Sequence, residues 1–259
     1  MIRQALRVAT YNVHGCVGMD GRYDPERVAE VLRELDPDII GLQEVDNHQP
    51  LRLGLHQLEF LRRATGLMAV PGLNISSKRG EYGNALLTRL RVADVRRLDL
   101  SVPGHEPRGA IDVDLVGPEG RLRVIVTHLG LRPSERRQQI AGILEALSPG
   151  PEPWPPTLLL GDINEWMPSG GVRVRALTGR FAADYCGRSF PAPCPVLFLD
   201  RIFAHPRPER ARLSVHRSRL ARWASDHLPL LGEFSWSEAP NNGLTEPRSQ
   251  ATLLTSVES

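Results

Sequence analysis

Ser225, Asp226 and His227 follow one another and place a carboxylate beside an imidazole, just before the apolar run of residues 228–231. A carboxylate can hold a hard divalent cation. An imidazole titrates near neutral pH and can take a proton from water. One such pair alone is weak evidence. It gains weight because several other polar residues with complementary chemistry follow apolar, strand-like runs of this chain.

Three residues offer hard oxygen donors. Asn12 follows the first apolar run, Glu44 ends the second, and Asp226 precedes the last. A carbonyl oxygen and two carboxylates suit Mg²⁺ or Mn²⁺ and do not suit a thiophilic metal. Taken singly, Asn12 could instead cap a turn before Gly15, and Glu44 could pair with an arginine.

The tetrapeptide of residues 161–164, Gly-Asp-Ile-Asn, follows a run of three leucines. If the strand continues, Asp162 and Asn164 point the same way, because side chains alternate along a strand. An acceptor and an amide side by side could position a water and donate to a phosphoryl oxygen. A turn capped by these two residues is the alternative, and it is the better interpretation of the tetrapeptide alone.

His128 and Asp200 each lie in a strand-like run. His128 could donate to a phosphate oxygen, although a single histidine on a strand is more often part of the core. An acid inside an apolar strand is costly unless it is paired. His227 is a natural partner for Asp200, because a carboxylate orients an imidazole and stabilises its protonated form. A surface pair between Asp200 and Arg201 is the alternative.

The elements that must position these residues include two well-marked helices. The first starts with Asp24 as its cap and Pro25 at the first helical position, and its apolar residues 28, 31, 32 and 35 share one face. The second starts at Ser134, after Pro133, and repeats this spacing at residues 140, 143, 144 and 147. The predicted strands include Leu6–Val13, Asp38–Gln43, Asn84–Thr88, Ala110–Val116, Arg121–Leu129, Thr157–Gly161, Val196–Phe203 and His227–Phe234.

A strand, a helix and a second strand follow one another twice, in residues 6–44 and 121–162. Both units carry polar residues at the C-terminal ends of their strands, where ligands collect in α/β sheets. Two similar units could also arise without functional meaning, so the symmetry gives modest support to a shared site.

In this order, the polar clusters resemble the pattern of the endonuclease/exonuclease/phosphatase superfamily, in particular its compact bacterial members. The resemblance covers roughly residues 6 to 234, and no catalytic position of the pattern is missing. It implies the deoxyribonuclease-I-like fold, a four-layer α/β sandwich of two packed mixed β-sheets flanked by helices. The matching stretches are Thr-Tyr-Asn-Val-His-Gly (10–15), Leu-Gln-Glu-Val (42–45), Tyr-Gly-Asn-Ala-Leu-Leu (82–87), Thr-His-Leu (127–129), Gly-Asp-Ile-Asn (161–164), Leu-Asp-Arg-Ile-Phe (199–203) and Ser-Asp-His-Leu-Pro (225–229).

The resemblance also implies catalytic roles. His227 would be the general base, oriented by Asp200. Asp162 would orient the attacking water or help to deprotonate it. Asn164 and His128 would bind the non-bridging phosphate oxygens as charge develops on them.

Further positions would bind metal and substrate. The resemblance implies that Glu44 binds Mg²⁺ or Mn²⁺ directly and that Asn12 and Asp226 complete or support the metal site. Asn84 matches an active-site amide of the family, and Arg108 matches a position that often faces substrate.

The superfamily includes nucleases, sphingomyelinases, inositol polyphosphate phosphatases and deadenylases. The inositol phosphatases resemble one another around a Trp-Cys-Asp-Arg stretch, and residues 197–201 differ from it. Arg132, Arg136, Arg137 and the pair Lys78-Arg79 could track a nucleic-acid backbone, but for Arg136 and Arg137 we expect a solvated helix face. We therefore expect Mg²⁺-dependent hydrolysis of a lipid-head-group or other small phosphodiester. A DNA or RNA nuclease is the alternative, and a phosphomonoesterase or a non-catalytic binding protein is less favoured.

Composition places few further limits. The 259 residues are enough for one large domain, and a net charge of +2 does not demand a polyanionic partner. Three cysteines without metal-ligand spacing indicate a reduced, cytoplasmic compartment. No apolar stretch approaches the ~20 residues of a transmembrane helix. We expect a monomer with one domain over residues 1–236 and a disordered tail over residues 237–259.

Overall fold

Twelve strands and five α-helices form in the residues that the computed structural model describes, which are 5–47, 56–77, 80–147, 155–166 and 171–236. A short 3₁₀ turn, His14–Cys16, follows the first strand. The helices are α1 (Pro25–Leu35), α2 (Gln57–Thr65), α3 (Pro133–Ala146), α4 (Gly171–Thr178) and α5 (Ala221–Ala224). The strands are β1 (Leu6–Asn12), β2 (Ile39–Asp46), β3 (Met68–Ser77), β4 (Gly80–Thr88), β5 (Arg91–Asp99), β6 (Gly109–Gly117), β7 (Gly120–His128), β8 (Thr157–Asp162), β9 (Ala183–Cys186), β10 (Asp200–His205), β11 (Arg210–Val215) and β12 (Leu230–Ser235).

The described strands form two six-stranded mixed sheets. The order in the first sheet is β11-β12-β1-β2-β4-β3, and the order in the second is β5-β6-β7-β8-β10-β9. At the centre of each sheet lies one parallel pair, β1 with β2 and β7 with β8. These pairs belong to the two strand–helix–strand units predicted from the sequence, because a parallel pair needs a crossover connection, here α1 or α3.

Three apolar clusters separate four layers, which confirms the α/β sandwich. The inner faces of the two sheets meet in the middle cluster, where Val8 and Ile39 of the first sheet join Val126 of the second. Alternate residues of the same strands point outward, as side chains do on a pleated strand. They pack under α1 and α2 on one side and under α3 and α4 on the other.

The starts of the two predicted helices are confirmed. Asp24 caps α1 by accepting a hydrogen bond from the backbone N–H of Arg27, and Pro25 is its first residue. The apolar face of α1 is buried against β1 and β2. Helix α3 begins at Pro133, one residue before the predicted start.

Two predicted strands begin later than expected. The segment predicted as Val196–Phe203 becomes a strand only at Asp200, and His227–Phe234 only at Leu230. The residues in front of both strands bond to the loop of residues 189–192 instead: Leu228 donates its N–H to the carbonyl of Ser189, and Leu197 bonds to Phe190. These loops therefore bring Asp226 and His227 beside Asp200.

Several expectations concern features away from the site. No helix in the described part of the chain is long and apolar enough to span a membrane. The three cysteines are all free thiols. The predicted disordered tail, residues 237–259, and the pair Lys78-Arg79 lie outside the described residues.

Candidate functional site

The central parallel strands of the second sheet bring two of the predicted residues face to face. In the pairing of β7 with β8, His128 lies opposite Asp162. The strands approach very closely at Gly161, which has φ +157°, and a Cβ there would lie 1.9 Å from the carbonyl oxygen of Thr127. Only glycine fits this position, so the Gly-Asp order of the tetrapeptide is a steric requirement.

Asp200 and His227 form a buried hydrogen-bonded pair. The Nδ1 atom of His227 lies 2.9 Å from Oδ2 of Asp200, and both side chains are almost fully excluded from solvent. Ser189 donates a short hydrogen bond to the same carboxylate oxygen, and the ring of Phe190 packs on the imidazole. Because Nδ1 is engaged, Nε2 is left to face Asp162, whose Oδ2 lies 3.7 Å away.

The charge around His227 favours its protonated form. Burial lowers the pKa of His227, but the charge and hydrogen bond of Asp200 and the charges of Asp162 and Asp226 outweigh burial and raise the pKa to about 10. The site thus has an excess of negative charge that attracts a cation.

Asp162 and Asn164 are joined by a turn and not by a continued strand. Strand β8 ends at Asp162, Asn164 has a left-handed φ of 53°, and its backbone N–H donates to Oδ1 of Asp162 at 2.9 Å. The capped turn, the better interpretation of the tetrapeptide alone, is therefore confirmed, and strand alternation does not align these side chains, because the aspartate caps the turn that follows it. Asn164 still reaches the site, since its Nδ2 donates to the carbonyl of Leu129 and lies 3.1 Å from Nε2 of His128.

His128 has a hydrogen-bond donor at each of its ring nitrogens. Nη1 of Arg108 lies 3.3 Å from Nδ1, and Nδ2 of Asn164 lies near Nε2. Burial lowers the pKa of His128 to about 3, and the charges of Arg108 and His227 add to this effect against that of Asp162. A neutral imidazole accepts at only one nitrogen, so one N–H of this group is left without an acceptor.

Glu44 reaches the site through an irregularity in β2. The register between β2 and β4 shifts between Leu42 and Val45, and Glu44 there has φ 57°. Such a bulge changes the direction in which the side chain points. Oε1 of Glu44 accepts from Nδ2 of Asn12 at 2.9 Å, and the same amide nitrogen lies 3.3 Å from Oδ2 of Asp162.

The Asn12 amide is oriented by its neighbour. The backbone N–H of His14 donates to Oδ1 of Asn12 at 3.0 Å, so the amide nitrogen faces Glu44 and Asp162. In this arrangement Asn12 holds two carboxylates together. The geometry favours the supporting role of Asn12 in a metal site over direct ligation by its oxygen.

Asp226 lies at the open side of the site and remains partly exposed. Its Oδ1 accepts from Oγ of Ser225 and lies 3.9 Å from Nδ1 of His14. His14 was not among the predicted site residues. The signal was available in the stretch of residues 10–15, where His14 follows Asn12 by two positions.

The donor set fits a hard cation. Glu44 and Asp162 both accept from the Asn12 amide, and the charges of Asp162 and Asp226 help to raise the pKa of His227. Asp162, Asp200 and His227 also offer ligand atoms within 4.8 Å of one another. Within this group, Asp200 and Nδ1 of His227 are already bound to each other, and carboxylate oxygens suit a hard cation.

Asn84 and Arg108 line one flank of the site. Asn84 is fully buried; its Nδ2 donates to the carbonyl of Gly109, and its Oδ1 has no hydrogen-bond partner in the described structure. Arg108 is 6% exposed and contacts His128 and Glu106. Asn84 is thus adjacent to the site through Gly109 and does not face solvent.

Arg136 is buried, and the expectation of a solvated face is wrong for it. Its guanidinium donates to the carbonyls of Gly130 and Leu131 and lies 3.5 Å from Oε2 of Glu165. Arg137, one residue on, is exposed as expected. Arg136 therefore ties the loop after His128 to the loop after Asn164, a role that no single-residue pattern reveals.

Known proteins resemble this chain in sequence and in fold. The uncharacterized protein YbhP of Escherichia coli is 29% identical over 252 residues, which cover 89% of this chain and 96% of YbhP. The mannosyl-6-phosphatase Bt3783 of Bacteroides thetaiotaomicron superposes with a TM-score of 0.67 at 18% identity and covers 90% of this chain and 100% of its own. Truncated TDP2 of Caenorhabditis elegans superposes with a TM-score of 0.64 at 17% identity and covers 89% of this chain and 97% of its own.

The structural likenesses agree with the two-sheet fold described above. The sequence model of the Endonuclease/Exonuclease/phosphatase family matches residues 9–227, which include every predicted site residue. The chain belongs to the endonuclease/exonuclease/phosphatase family.

Proposed function

We propose that this chain hydrolyses a phosphodiester bond in a reaction that depends on Mg²⁺ or Mn²⁺. One observation carries the proposal: the carboxylate of Asp162 lies 3.7 Å from His227 of the Asp200–His227 pair and 3.5 Å from His128, which is surrounded by a surplus of N–H donors. The first two groups can activate a water, and the third can bind the oxygens of a phosphate.

In this mechanism, His227 and Asp162 act on the attacking water from two sides. Nε2 of His227 lies 3.7 Å from Oδ2 of Asp162, so one water beside the two atoms can donate to one group and be oriented by the other. Asp200 fixes the ring and stabilises the imidazolium that forms. Glu44 and Asp226 would hold the metal ion, which would supply positive charge to the phosphoryl oxygens and offset the carboxylates that hold a proton on His227.

Arg108, His128 and Asn164 bind the non-bridging oxygens. When His128 is neutral, one N–H among these three residues has no acceptor. The pKa of His128, about 3, keeps the imidazole neutral at physiological pH. A phosphate oxygen supplies the missing acceptor, and the charge that develops on it during the reaction strengthens the hydrogen bond.

A phosphomonoesterase acting on a sugar phosphate is the second candidate. Bt3783, whose name is that of a mannosyl-6-phosphatase, shares this fold over its whole length. Arg108 adds a cation beside His128, which suits the additional charge of a monoester. A DNA or RNA nuclease remains the alternative among the diesterases.

The test is hydrolysis of bis-p-nitrophenyl phosphate, p-nitrophenyl phosphate, plasmid DNA, RNA and phospholipids, each with Mg²⁺, with Mn²⁺ and with excess EDTA. We expect turnover of the diester that EDTA abolishes. His227→Ala should lower turnover by at least ~10²-fold, the low end of general-base contributions, and Glu44→Ala should abolish the metal-dependent activity. His216→Ala is the matched control, because His216 pairs with Glu34 outside the site.

Each outcome separates the candidates. Preference for the monoester would favour the sugar-phosphate reaction, and nicking of plasmid would favour the nuclease. Full activity in EDTA, or His227→Ala with normal turnover, would refute the proposed mechanism.

A further inference from the structure

A cavity of about 280 Å³ opens beside the candidate site, and its lining includes Arg97, Ser101 and Arg108. Arg97 lies on β5 and Gly72 on β3, which are edge strands of the two sheets. The cavity therefore lies in the seam where the sandwich is open on one side. Arg97 spans this seam, since its Nη2 donates to the carbonyl of Pro71 on β3.

Arg108 connects the cavity to the reacting centre. Its Nη1 lies 3.3 Å from His128, whose other ring nitrogen lies 3.5 Å from Oδ2 of Asp162. The side chain is more than nine-tenths buried, and its Nε–H has no partner in the described structure. A buried cation with an unused donor calls for an anionic acceptor.

The nearby carboxylates do not supply an acceptor for the Nε–H of Arg108. Glu106 contacts Arg108 at 3.2 and 3.4 Å, longer than the 2.7–2.9 Å typical of charged hydrogen bonds, and its side chain is about half exposed. Asp99 accepts from the backbone N–H of Ser101 at 2.9 Å, and its hydrogen bonds to Ser101 lower its pKa. Glu106 can be displaced. Asp99 also lines the cavity and stays ionised, so the lining carries two arginines against one carboxylate.

We propose that this cavity binds a phosphate group other than the one that reacts, between Arg97 and Arg108. Its volume suits a phosphate with a few attached atoms and is below that of sites for drug-sized ligands. If the reacting phosphate lies against His128, the second phosphate lies on the other side of the same arginine. Resting on the proposed function, this names the substrate class: a phosphate ester that carries a second phosphate near the scissile one.

The first experiment measures binding of inorganic phosphate to the metal-free protein by calorimetry in EDTA. Binding that depends on Arg97 reports on the cavity, because Arg97 is not among the donors around His128. Arg97→Gln should weaken binding by about fivefold, as expected for loss of a partly exposed charged hydrogen bond. Glu106→Gln should tighten it by about threefold, because it removes a competing charge. Arg91→Gln, at the exposed far end of β5, is the matched control and should leave binding unchanged.

The second experiment identifies the source of the phosphate. It compares kcat/KM for thymidine 5′-(p-nitrophenyl phosphate) with and without a 3′-phosphate, in the unmodified protein and in Arg97→Gln. A preference for the 3′-phosphorylated compound that Arg97→Gln removes assigns the cavity to the substrate. Equal kcat/KM together with Arg97-dependent binding of inorganic phosphate assigns it to the free anion.

The proposal is overturned if the protein binds no inorganic phosphate, or if Arg97→Gln and Glu106→Gln bind it like the unmodified protein. Failure of the proposed function has a different signature: no phosphoester is hydrolysed with any metal, while phosphate binding still depends on Arg97.

Discussion

Glu44 and Asn164 occupy the left-handed backbone region, which is uncommon for glutamate and less so for asparagine. Both have left-handed φ values, 57° and 53°. A residue other than glycine in such a region costs of the order of 1–3 kcal/mol, and such strain concentrates at functional sites. Here each strained residue has a visible effect: the bulge aims Glu44 at Asn12, and the turn brings Asn164 against His128.

The two histidines should titrate far apart in the metal-free protein. His227 has its pKa raised to about 10, so its proton stabilises the fold fully below the ordinary value of 6.5, and this contribution is lost as pH rises through about 10. In EDTA, proton NMR should show His227 charged at pH 8. His128, with a pKa of about 3, should stay neutral from pH 5 to 9.

Asp200→Asn tests whether the charge of Asp200 raises the pKa of His227. It removes the charge that holds the proton, and the His227 pKa should fall by more than one unit, equivalent to about 1.4 kcal/mol. A His227 that titrates near 6.5 in the unmodified protein would contradict the charge distribution described for this site.

The types of the site residues could be predicted from the sequence, whereas the directions of their side chains could not. The pairing of Asp200 with His227 was predictable, because a lone acid in an apolar strand needs a partner. The bulge at Glu44 was not, since it depends on how β2 meets β4, a strand about 40 residues away. Nor was the Asn12 amide bridging Glu44 and Asp162, because three separate strands must first be assembled.

At the scale of elements, edge strands were the ones that the sequence pattern did not reveal. β3, β5, β9 and β11 are the outermost strands of the two sheets, and none was predicted. Their outer positions are mostly polar or half exposed, as in β5 and β11. β3 also contains Pro71, which edge strands tolerate. Central strands such as β8 are buried at every residue and were recognised as apolar runs.

Arg136 should control the position of the loops that carry His128 and Asn164. Arg136→Gln removes the ion pair with Glu165 and weakens the contacts to the Gly130 and Leu131 carbonyls. We expect a loss of about 3 kcal/mol in the free energy of unfolding, the low end for a broken buried pair. In the folded variant, kcat on the proposed substrate should fall more than KM rises.

Arg137→Gln is the matched control for this prediction. Arg137 is the exposed neighbour on the same helix, and its replacement should change the unfolding free energy by less than about 0.5 kcal/mol. Equal effects of the two substitutions would show that the helix charge, and not the tie between the loops, matters.

Asp112 joins three strands of the second sheet. Its carboxylate accepts two hydrogen bonds each from Arg96 on β5 and Arg123 on β7. Burial raises the pKa of Asp112, but hydrogen bonds from both arginines outweigh it and hold the pKa below the ordinary 3.8. Asp112→Asn should therefore lower the unfolding free energy by about 3 kcal/mol at pH 7.

The pH dependence of this loss has a definite sign. The contribution of ionised Asp112 is present above pH 3.8 and is lost as pH falls through its lower folded value. The difference in unfolding free energy between the unmodified protein and Asp112→Asn should therefore disappear in acid. Asp94→Asn, at an exposed partner of Arg96, should show almost no gap at any pH. A gap for Asp112→Asn that persists at pH 2 would contradict this account.

At the scale of the whole molecule, the two sheets approach closely near their centres, where a glycine faces a valine. A Cβ on Gly41 would lie 2.9 Å from Cγ1 of Val126 in the facing sheet and 3.3 Å from Leu160. Gly41→Ala should cost about 1–3 kcal/mol, because a close-packed interior does not absorb an extra methyl group.

The test is a double-mutant cycle measured by denaturant unfolding. Val126→Ala should recover part of the loss in the Gly41→Ala background, since it removes the atoms that clash. Gly179→Ala is the control, because Gly179 is exposed and nothing lies nearer than 3.5 Å to its added Cβ. Strict additivity of the Gly41 and Val126 substitutions would show that the sheets adjust their spacing.

The pairing of β1 with β12 joins residues more than 200 positions apart, with Leu6 opposite Phe234. Asn12 and His227 become neighbours only through this pairing. On the ribosome, β1 emerges early but keeps an unpaired edge until β12 has been made. The site is therefore completed last, and folding intermediates with an open β1 edge can pair with other chains. A nascent chain released early would present that edge to its neighbours before it could present a working site.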